Sequence, residues 1–502
     1  MNQLKAGAVL NYCIIVLNAL VGLLYTPYML HTLGQSEYGL YSLVASVIGY
    51  LTILDLGFGT AIIRYTAKFR AEGKIKEQYE MFGMFLILYL VIGIIAFLAG
   101  LALYYNVDAI FGQTMTTTEL SRARIMMLIL TANLAITFPM SIFGSIMNAY
   151  ERFVFPKLVN IIRVILNTLT MVLLLRIGYK AVAMVIVQTI FNILTLCINY
   201  IYCKKELHIE IHIGKFEWTL LKEVAIYSFW IFLNIIMDKI YWSSGQFILG
   251  AVSGTIAVAV FAVAIQFQTM YMSFSGAISS LFLPKITGLV TQERSDSIIS
   301  EIFIRTGRIQ NIVMILILAG FIVFGETFIR LWAGEGYEDS YIITVLFFVA
   351  LYIPMIQNIG LTILQARNQL AFRSILYILI ATCSLFAQYY LGKLFGGIGC
   401  AVAIAGALFI GQGIVMNIYY DKKQGLDIAQ FWKNIIKMDI VPIIISIPFC
   451  MLMNHVHVES WGSLIIWIGI FLLVYLPAFY FFSMNDYERE LCIKSILKKK
   501  YD

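Results

Sequence analysis

Apolar runs of about twenty residues, parted by short polar stretches, recur from one end of this chain to the other. An α-helix rises 1.5 Å per residue, so about twenty apolar residues cross the roughly 30 Å of bilayer hydrocarbon. The pattern divides into spans at 7–31, 38–64, 80–105, 122–148, 157–176, 181–203, 224–249, 256–283, 306–328, 341–365, 374–393, 399–420, 438–454 and 461–483. It predicts an all-α polytopic membrane protein with about fourteen transmembrane helices. The loops on one side are short and the longest on the other is about twenty residues, too small for a soluble catalytic domain.

Two halves of the pattern echo each other. Asn148, Ala149, Tyr150 and Glu151 lie over Gln365, Ala366, Arg367 and Asn368, and Phe155 lies over Phe372. Lys180 to Met184 lie over Cys400 to Ile404, the segment from Ile198 to Lys205 lies over that from Met416 to Lys423, and Gly34 lies over Gly254. An offset held near 217–220 residues means a repeat of about six spans in one orientation, the parallel arrangement in which two lobes flank a central site. The expected division is a six-helix lobe over 1–205, a linker over 206–223, a second six-helix lobe over 224–423, and two extra helices with a basic tail over 424–502.

Composition agrees. Of 502 residues, 61% are hydrophobic and 13% charged, with a mean hydropathy of +0.87; a soluble chain carries about 25% charged residues. The net charge of +7 does not point to nucleic acid, because the basic residues cluster at the ends of spans on one side, roughly 27 against 6, as the positive-inside rule describes. That bias places both termini in the cytoplasm, and an even number of spans agrees. The first span has no small-residue cleavage site and reads as uncleaved. The seven cysteines fall mostly inside apolar spans, without metal-ligand spacing or a disulfide framework.

The most informative stretch runs from Leu54 to Arg64, with Asp55, Gly57 and Gly59 between. A charge within a hydrocarbon span costs several kcal/mol unless it is paired or faces water, so each one marks a functional site by default. On one straight helix Asp55 and Arg64 lie roughly 13–14 Å apart and about half a turn out of phase. Asp55, the deeper of the two, is expected to face a central cavity. Arg64 is expected to reach the inner mouth on its long stem, or sideways if the helix distorts at Gly57 or Gly59.

The run from Gly34 to Tyr41 (Gly34-Gln35-Ser36-Glu37-Tyr38-Gly39-Leu40-Tyr41), the Leu54-Asp55-Leu56-Gly57 to Arg64 stretch, Asn148-Ala149-Tyr150-Glu151-Arg152-Phe153, and Asp238 with Ile248-Leu249-Gly250 resemble the polysaccharide transporter (Wzx-like) family of lipid-linked oligosaccharide flippases, within the superfamily of MATE exporters and MurJ-type flippases. The likeness covers essentially the whole chain. It implies a multi-pass bacterial inner-membrane protein working by alternating access. An undecaprenyl-pyrophosphate-linked oligosaccharide would cross with its headgroup in the cavity and its tail in lipid. The glycan would be a capsule, O-antigen or similar repeat unit. Proton (H+) or sodium (Na+) coupling, no organic cofactor, no enzymatic activity, and partnership with a polysaccharide polymerase or other assembly proteins are implied too. Span 7–31 contains no Lys or Arg, unlike the MurJ-type first-span arginine, which argues against lipid II as cargo.

Within that frame Lys239 is the only basic residue deep in a second-lobe span, and is the first candidate for holding an anionic headgroup; a structural salt bridge is the bland alternative. Adjacent helical residues diverge by about 100°, so Asp238 and Lys239 do not pair on one face. Asn234, Asp238, Trp242 and Gln246 form one polar and aromatic stripe, while Lys239, Ser243 and Gln246 form another. Arg163 reaches either the cavity or the membrane interface. Asp55 and Asp238 are candidates for ion coupling or gating, and Glu151 and Arg152 for a lock at the inner gate. Pro27, Pro139, Pro284 and Pro354 suit hinges. His208 with His212, and His455 with His457, lack supporting ligands and no metal site is expected. No Gly-rich phosphate loop is present. A MATE-like exporter of cationic drugs would want an acid-rich cavity, and a membrane glycosyltransferase or polymerase a larger outer loop.

Overall fold

The computed structural model describes residues 3–214, 218–291, 295–367, 369–456 and 458–497. Lys215, Arg294, Asn368, His457 and Lys498 to Lys500 lie outside the described residues, and so do the side chains of Lys5, Pro284, Lys285 and Lys494. The described residues are helices, turns and loops, with no strand among them.

In chain order the first half holds α1 (Gln3–Leu33), α2 (Gln35–Leu51), α3 (Phe58–Ala71), α4 (Ile75–Phe111), α5 (Thr117–Ala149), α6 (Val154–Ile177), α7 (Ala181–Lys205), α8 (Trp218–Trp242) and α9 (Ser244–Val252). The second holds α10 (Thr255–Thr291), α11 (Asp296–Ala333), α12 (Asp339–Ile356), α13 (Asn358–Ala366), α14 (Ala371–Leu408), α15 (Met416–Gln424), α16 (Ile428–His455), α17 (Trp461–Phe482) and α18 (Asp486–Leu497). Among the described residues, twelve helical stretches are long and apolar enough to cross a membrane. One of them, Ala371–Gln424, is 54 residues long and is divided by Gly396 at φ 58°, ψ −138°. With that division, and with α8 and α9 taken as one crossing, the protein is a multi-pass membrane protein of about fourteen helices.

Several crossings are interrupted. The second is α2, a 3₁₀ turn over Thr52–Asp55, and α3. Another breaks at Ser243 between α8 and α9, and a third at Gln357 between α12 and α13. Pro354 lies three residues before that last break, whereas Pro27 and Pro139 sit inside the unbroken α1 and α5. After Gly396 the backbone passes through a π-helical segment, Phe409–Val415. The carbonyls of Gln412 and Gly413 there accept from Asn417 Nδ2 at 3.0 and 2.9 Å, and Asn417 Oδ1 accepts from Gln357 and Trp432. Irregular backbone at membrane depth persists where side chains satisfy it in this way.

The chain forms two compact units. The first comprises Met1–Ala262 with Leu385–Cys400, the second Val263–Ser384 with Ala401–Asp502. In the first, α4 packs on α5, α5 on α7, and α1 on α6. The Gly34 to Tyr41 run turns out to be structural. Gly34 opens α2 at φ 79°, Glu37 (6% exposed) is ion-paired to Arg122, and a Cβ at Gly39 would lie 1.8 Å from the Thr255 carbonyl oxygen. Ser36 and Thr255 both donate to Glu119, which also completes a capping box with Thr116 at the start of α5.

The second unit is held by α11, which packs on α12, α16 and α17. Its 38 residues reach about 57 Å, beyond the hydrocarbon at both ends. Near one end Arg308 (7% exposed) forms a two-pronged ion pair with Glu488 of α18 (2% exposed), Nε to Oε1 at 2.6 Å and Nη2 to Oε2 at 2.8 Å. The guanidinium also donates to the carbonyls of Asn434 and Ser483, so one side chain ties α11, α16, the end of α17 and α18 together. Removing one partner of a buried pair strands the other charge. R308Q or E488Q alone should therefore cost about 3–5 kcal/mol of stability, read as a lowered unfolding midpoint of the detergent-solubilised protein. The double change R308M/E488L should cost much less than either.

Candidate functional site

The site is built on the break in the second crossing. Leu56 and Gly57 both take left-handed backbone, φ 53° and 74°. Glycine does this freely, but a leucine there is strained by roughly 1–2 kcal/mol. The break leaves the first amides of α3 without helical partners. The Asp55 carboxylate and the Tyr89 hydroxyl lie beside the Gly57 and Gly59 amides. Tyr89 donates to Asp55 Oδ1 at 2.9 Å. Tyr89 is wholly buried in the first unit's core and stacks on Phe138. The pair thus sits at the start of α3, where the helix dipole favours an anion.

The straight-helix geometry expected of Asp55 and Arg64 does not hold, because two left-handed residues redirect the chain between them. Arg64 stands exposed on α3, its guanidinium 5.9 Å from the Tyr65 ring centroid. Lys239 reaches the break from another direction. It is half-buried on α8, which packs on the 3₁₀ turn and on α3. Its ammonium lies so close to α2 that a Cβ at Gly49 would be 3.5 Å from Nζ. Gln246 is buried on α9, which packs on α2, while Trp242 ends α8 and Asp238 is exposed. The helix break at Ser243 interrupts both stripes that link α8 residues to Gln246.

The break therefore gathers Asp55, Lys239, Trp242 and Gln246 on elements in mutual contact. Arg163, Glu151 and Arg152 lie elsewhere: Arg163 half-buried on α6, which packs chiefly on α1 and α7, the other two exposed in the turn between α5 and α6. In that turn Tyr150 makes the contacts. Arg70 lies 4.1 Å from its ring centroid and donates to the Ala149 carbonyl, and Gln78 donates to its hydroxyl. Arg367, the repeat counterpart of Tyr150, fastens its own turn by donating to Asp296 and Gln424.

Tyr89, Tyr150 and Arg70 were not singled out by sequence. A tyrosine in an apolar run carries no charge signal, and only the fold reveals which acid or amide it meets. If the Tyr89–Asp55 bond holds the break, Y89F should remove it at a cost of about 1–3 kcal/mol. Asp55→Asn should keep an acceptor for Tyr89, and Asp55→Ala should lose about 1 kcal/mol. The check is thermal unfolding of the three purified variants.

Comparison with known proteins places the chain. A curated relative, the "Uncharacterized membrane protein EpsK" of Bacillus subtilis (strain 168), is 19% identical over 98% of this chain and 97% of its own. Among solved structures, the lipid II flippase MurJ in an inward closed conformation superposes with a TM-score of 0.73 at 15% identity, over 94% of this chain and 97% of that one. An inward-facing multidrug resistance MATE family transporter gives 0.62 at 14% identity, over 82% and 99%. At such identity these structures establish the fold. The sequence model of the polysaccharide biosynthesis protein family matches residues 4–290, more than half of the chain, and the chain belongs to that family.

Proposed function

We propose that this protein is a flippase that carries a polyprenyl-pyrophosphate-linked oligosaccharide repeat unit from the inner to the outer leaflet by alternating access, for surface polysaccharide biosynthesis. The observation that carries the reading is Lys239, a half-buried cation set against the broken second crossing. Unpaired charge at that depth is costly, and a diphosphate headgroup is the counter-charge the reading supplies. Family membership supports a role in polysaccharide assembly, and the fold is that of transporters.

In this reading the lobes are 1–205 and 224–423, and both termini are cytoplasmic. Lys239 binds the diphosphate, while Trp242 and Gln246 contact the sugar. Arg64 and Arg163 draw the anion in from the inner side, and Asp55 and Asp238 respond to a coupling proton or sodium ion. Glu151 and Arg152 guard the inner gate. The prenyl tail stays in lipid, and the product passes to a polymerase in the same membrane. The Leu56–Gly57 joint is the place where α3 can turn against α2.

In cells lacking the gene, lipid-linked oligosaccharide should accumulate on the inner leaflet. Wild type should clear it, K239A should not, and K239R should clear it in part because the charge is kept. Absence of accumulation, with raised drug sensitivity instead, would replace this reading with a drug exporter.

A further inference from the structure

Another acid lies inside the apolar spans, and the reading above leaves it without a role. Asp439, on α16, faces Asn311 of α11 and Tyr352 of α12, all within the second unit. Three contacts close a ring: Asn311 to Asp439 Oδ1 at 2.7 Å, Tyr352 Oη to Asp439 Oδ2 at 2.6 Å, and Tyr352 Oη to the Asn311 side chain at 2.5 Å. No lysine or arginine among the described residues pairs with this carboxyl. Arg308, three residues before Asn311 on α11, is committed to Glu488. The other titratable groups facing Asp439 are the phenols of Tyr271 on α10, which donates to the Met314 carbonyl, and Tyr475 on α17.

Each ring contact needs one hydrogen. The amide turns one end to each neighbour and so puts one N–H into the ring; the phenol supplies one O–H; a carboxylate supplies none. Two hydrogens cannot serve three contacts. One pair of oxygens would face each other lone pair to lone pair, at a separation where only a hydrogen bond is stable. Exchanging the oxygen and nitrogen of Asn311 leaves the count unchanged, so the conclusion does not depend on how the amide is oriented. The third hydrogen has one place left, on Asp439.

From this we infer that Asp439 is a proton-binding site, a neutral carboxylic acid cradled by Asn311 and Tyr352, and that loss of its proton opens the ring joining α16 to α11 and α12. Asp439 and Tyr352 form part of the wall of a cavity of about 500 Å³ between α11 and α16, lined mostly by apolar side chains such as Ile315, Leu318 and Ile447. Ser446, seven residues along α16 and 8% exposed, also lines it, and its hydroxyl has no partner among the described residues. On ionisation the O–H bond breaks, its electron pair stays on the carboxylate, and the proton passes to water at the cavity. That this proton drives transport rests on the flippase reading; that Asp439 carries it does not.

The test is infrared spectroscopy of the full-length protein in liposomes without substrate. Wild type at neutral pH should show a protonated-carboxyl stretching band that is absent from D439N, a variant that keeps the fold because its amide donates where the acid did. In Y352F the single remaining contact, from Asn311, suits a carboxylate, so the band should titrate away at lower pH than in wild type. D55N should retain the difference band. Identical neutral-pH spectra for wild type and D439N would mean that Asp439 is ionised and would overturn the proposal. So would a band abolished by sodium at fixed pH, which would make the ring a sodium site. Coupling is read separately: D439N, unable to release the proton, should accumulate lipid-linked oligosaccharide as K239A does, and clearance at the wild-type rate would refute that step alone.

Discussion

A bilayer offers no hydrogen bonds, so every charge and every loosened amide in this chain must find its partner inside the protein. That requirement explains where the chain is irregular and what surrounds each irregular place. At the joint after Asp55 a buried phenol meets the carboxylate at 2.9 Å. The π-helical segment before Met416 exists because Asn417 reaches back to its carbonyls. Arg308 lies inside the second unit because Glu488 meets it with both oxygens and two main-chain carbonyls take two of its three remaining donors. None of these is a net stabiliser in the sense that apolar burial is. Each fixes one arrangement by making its alternatives cost an unpaired group.

The spans and the all-helical architecture were legible in sequence because hydropathy at a twenty-residue scale is a sum over many side chains and tolerates local error. Gly34 and Gly254, paired by offset, each precede a helix with positive φ, 79° and 83°. The structure also sharpens the register of the repeat. Phe155 stacks on Tyr202 with centroids 4.0 Å apart and Phe372 on Tyr419 at 4.2 Å, so these pairs are equivalent at a constant offset of 217. Aligning the two Asn-containing segments by their lysine pairs misses this by one residue.

Partner choice was not legible. Asp55 was visible as a costly acid, and a distortion at Gly57 was one of the outcomes foreseen, but its geometry toward Arg64 depended on whether Leu56 left the helical region. Nothing in a leucine announces a left-handed conformation. Tyr150 was hidden beside Glu151 and Arg152, whose charges draw the eye although both are exposed. Asp439 was passed over because it begins a span next to Lys437, where an acid reads as part of the polar border. Its meaning lies in α11 and α12, nearly ninety and more residues away.

Asp55 and Asp439 are opposites, and the contrast follows from counting donors. Asp55 is met by a phenol near the start of a helix and by no second side chain that must share that hydrogen, so its oxygen finds a donor and gains from the dipole. Asp439 is met by a phenol and an amide that also face each other, so one of their two hydrogens is claimed twice and a carboxylate falls one short. The first acid accepts from a phenol beside a joint; the second holds a ring as an acid. Adding a proton at Asp55 removes an acceptor beside the start of α3, whereas removing one at Asp439 removes a donor from the junction of three helices. A chain that answered protons at both places would respond in opposite senses in its two units, loosening one where it tightens the other, and such a difference is what a gradient across a membrane needs in order to do work on an alternating-access cycle.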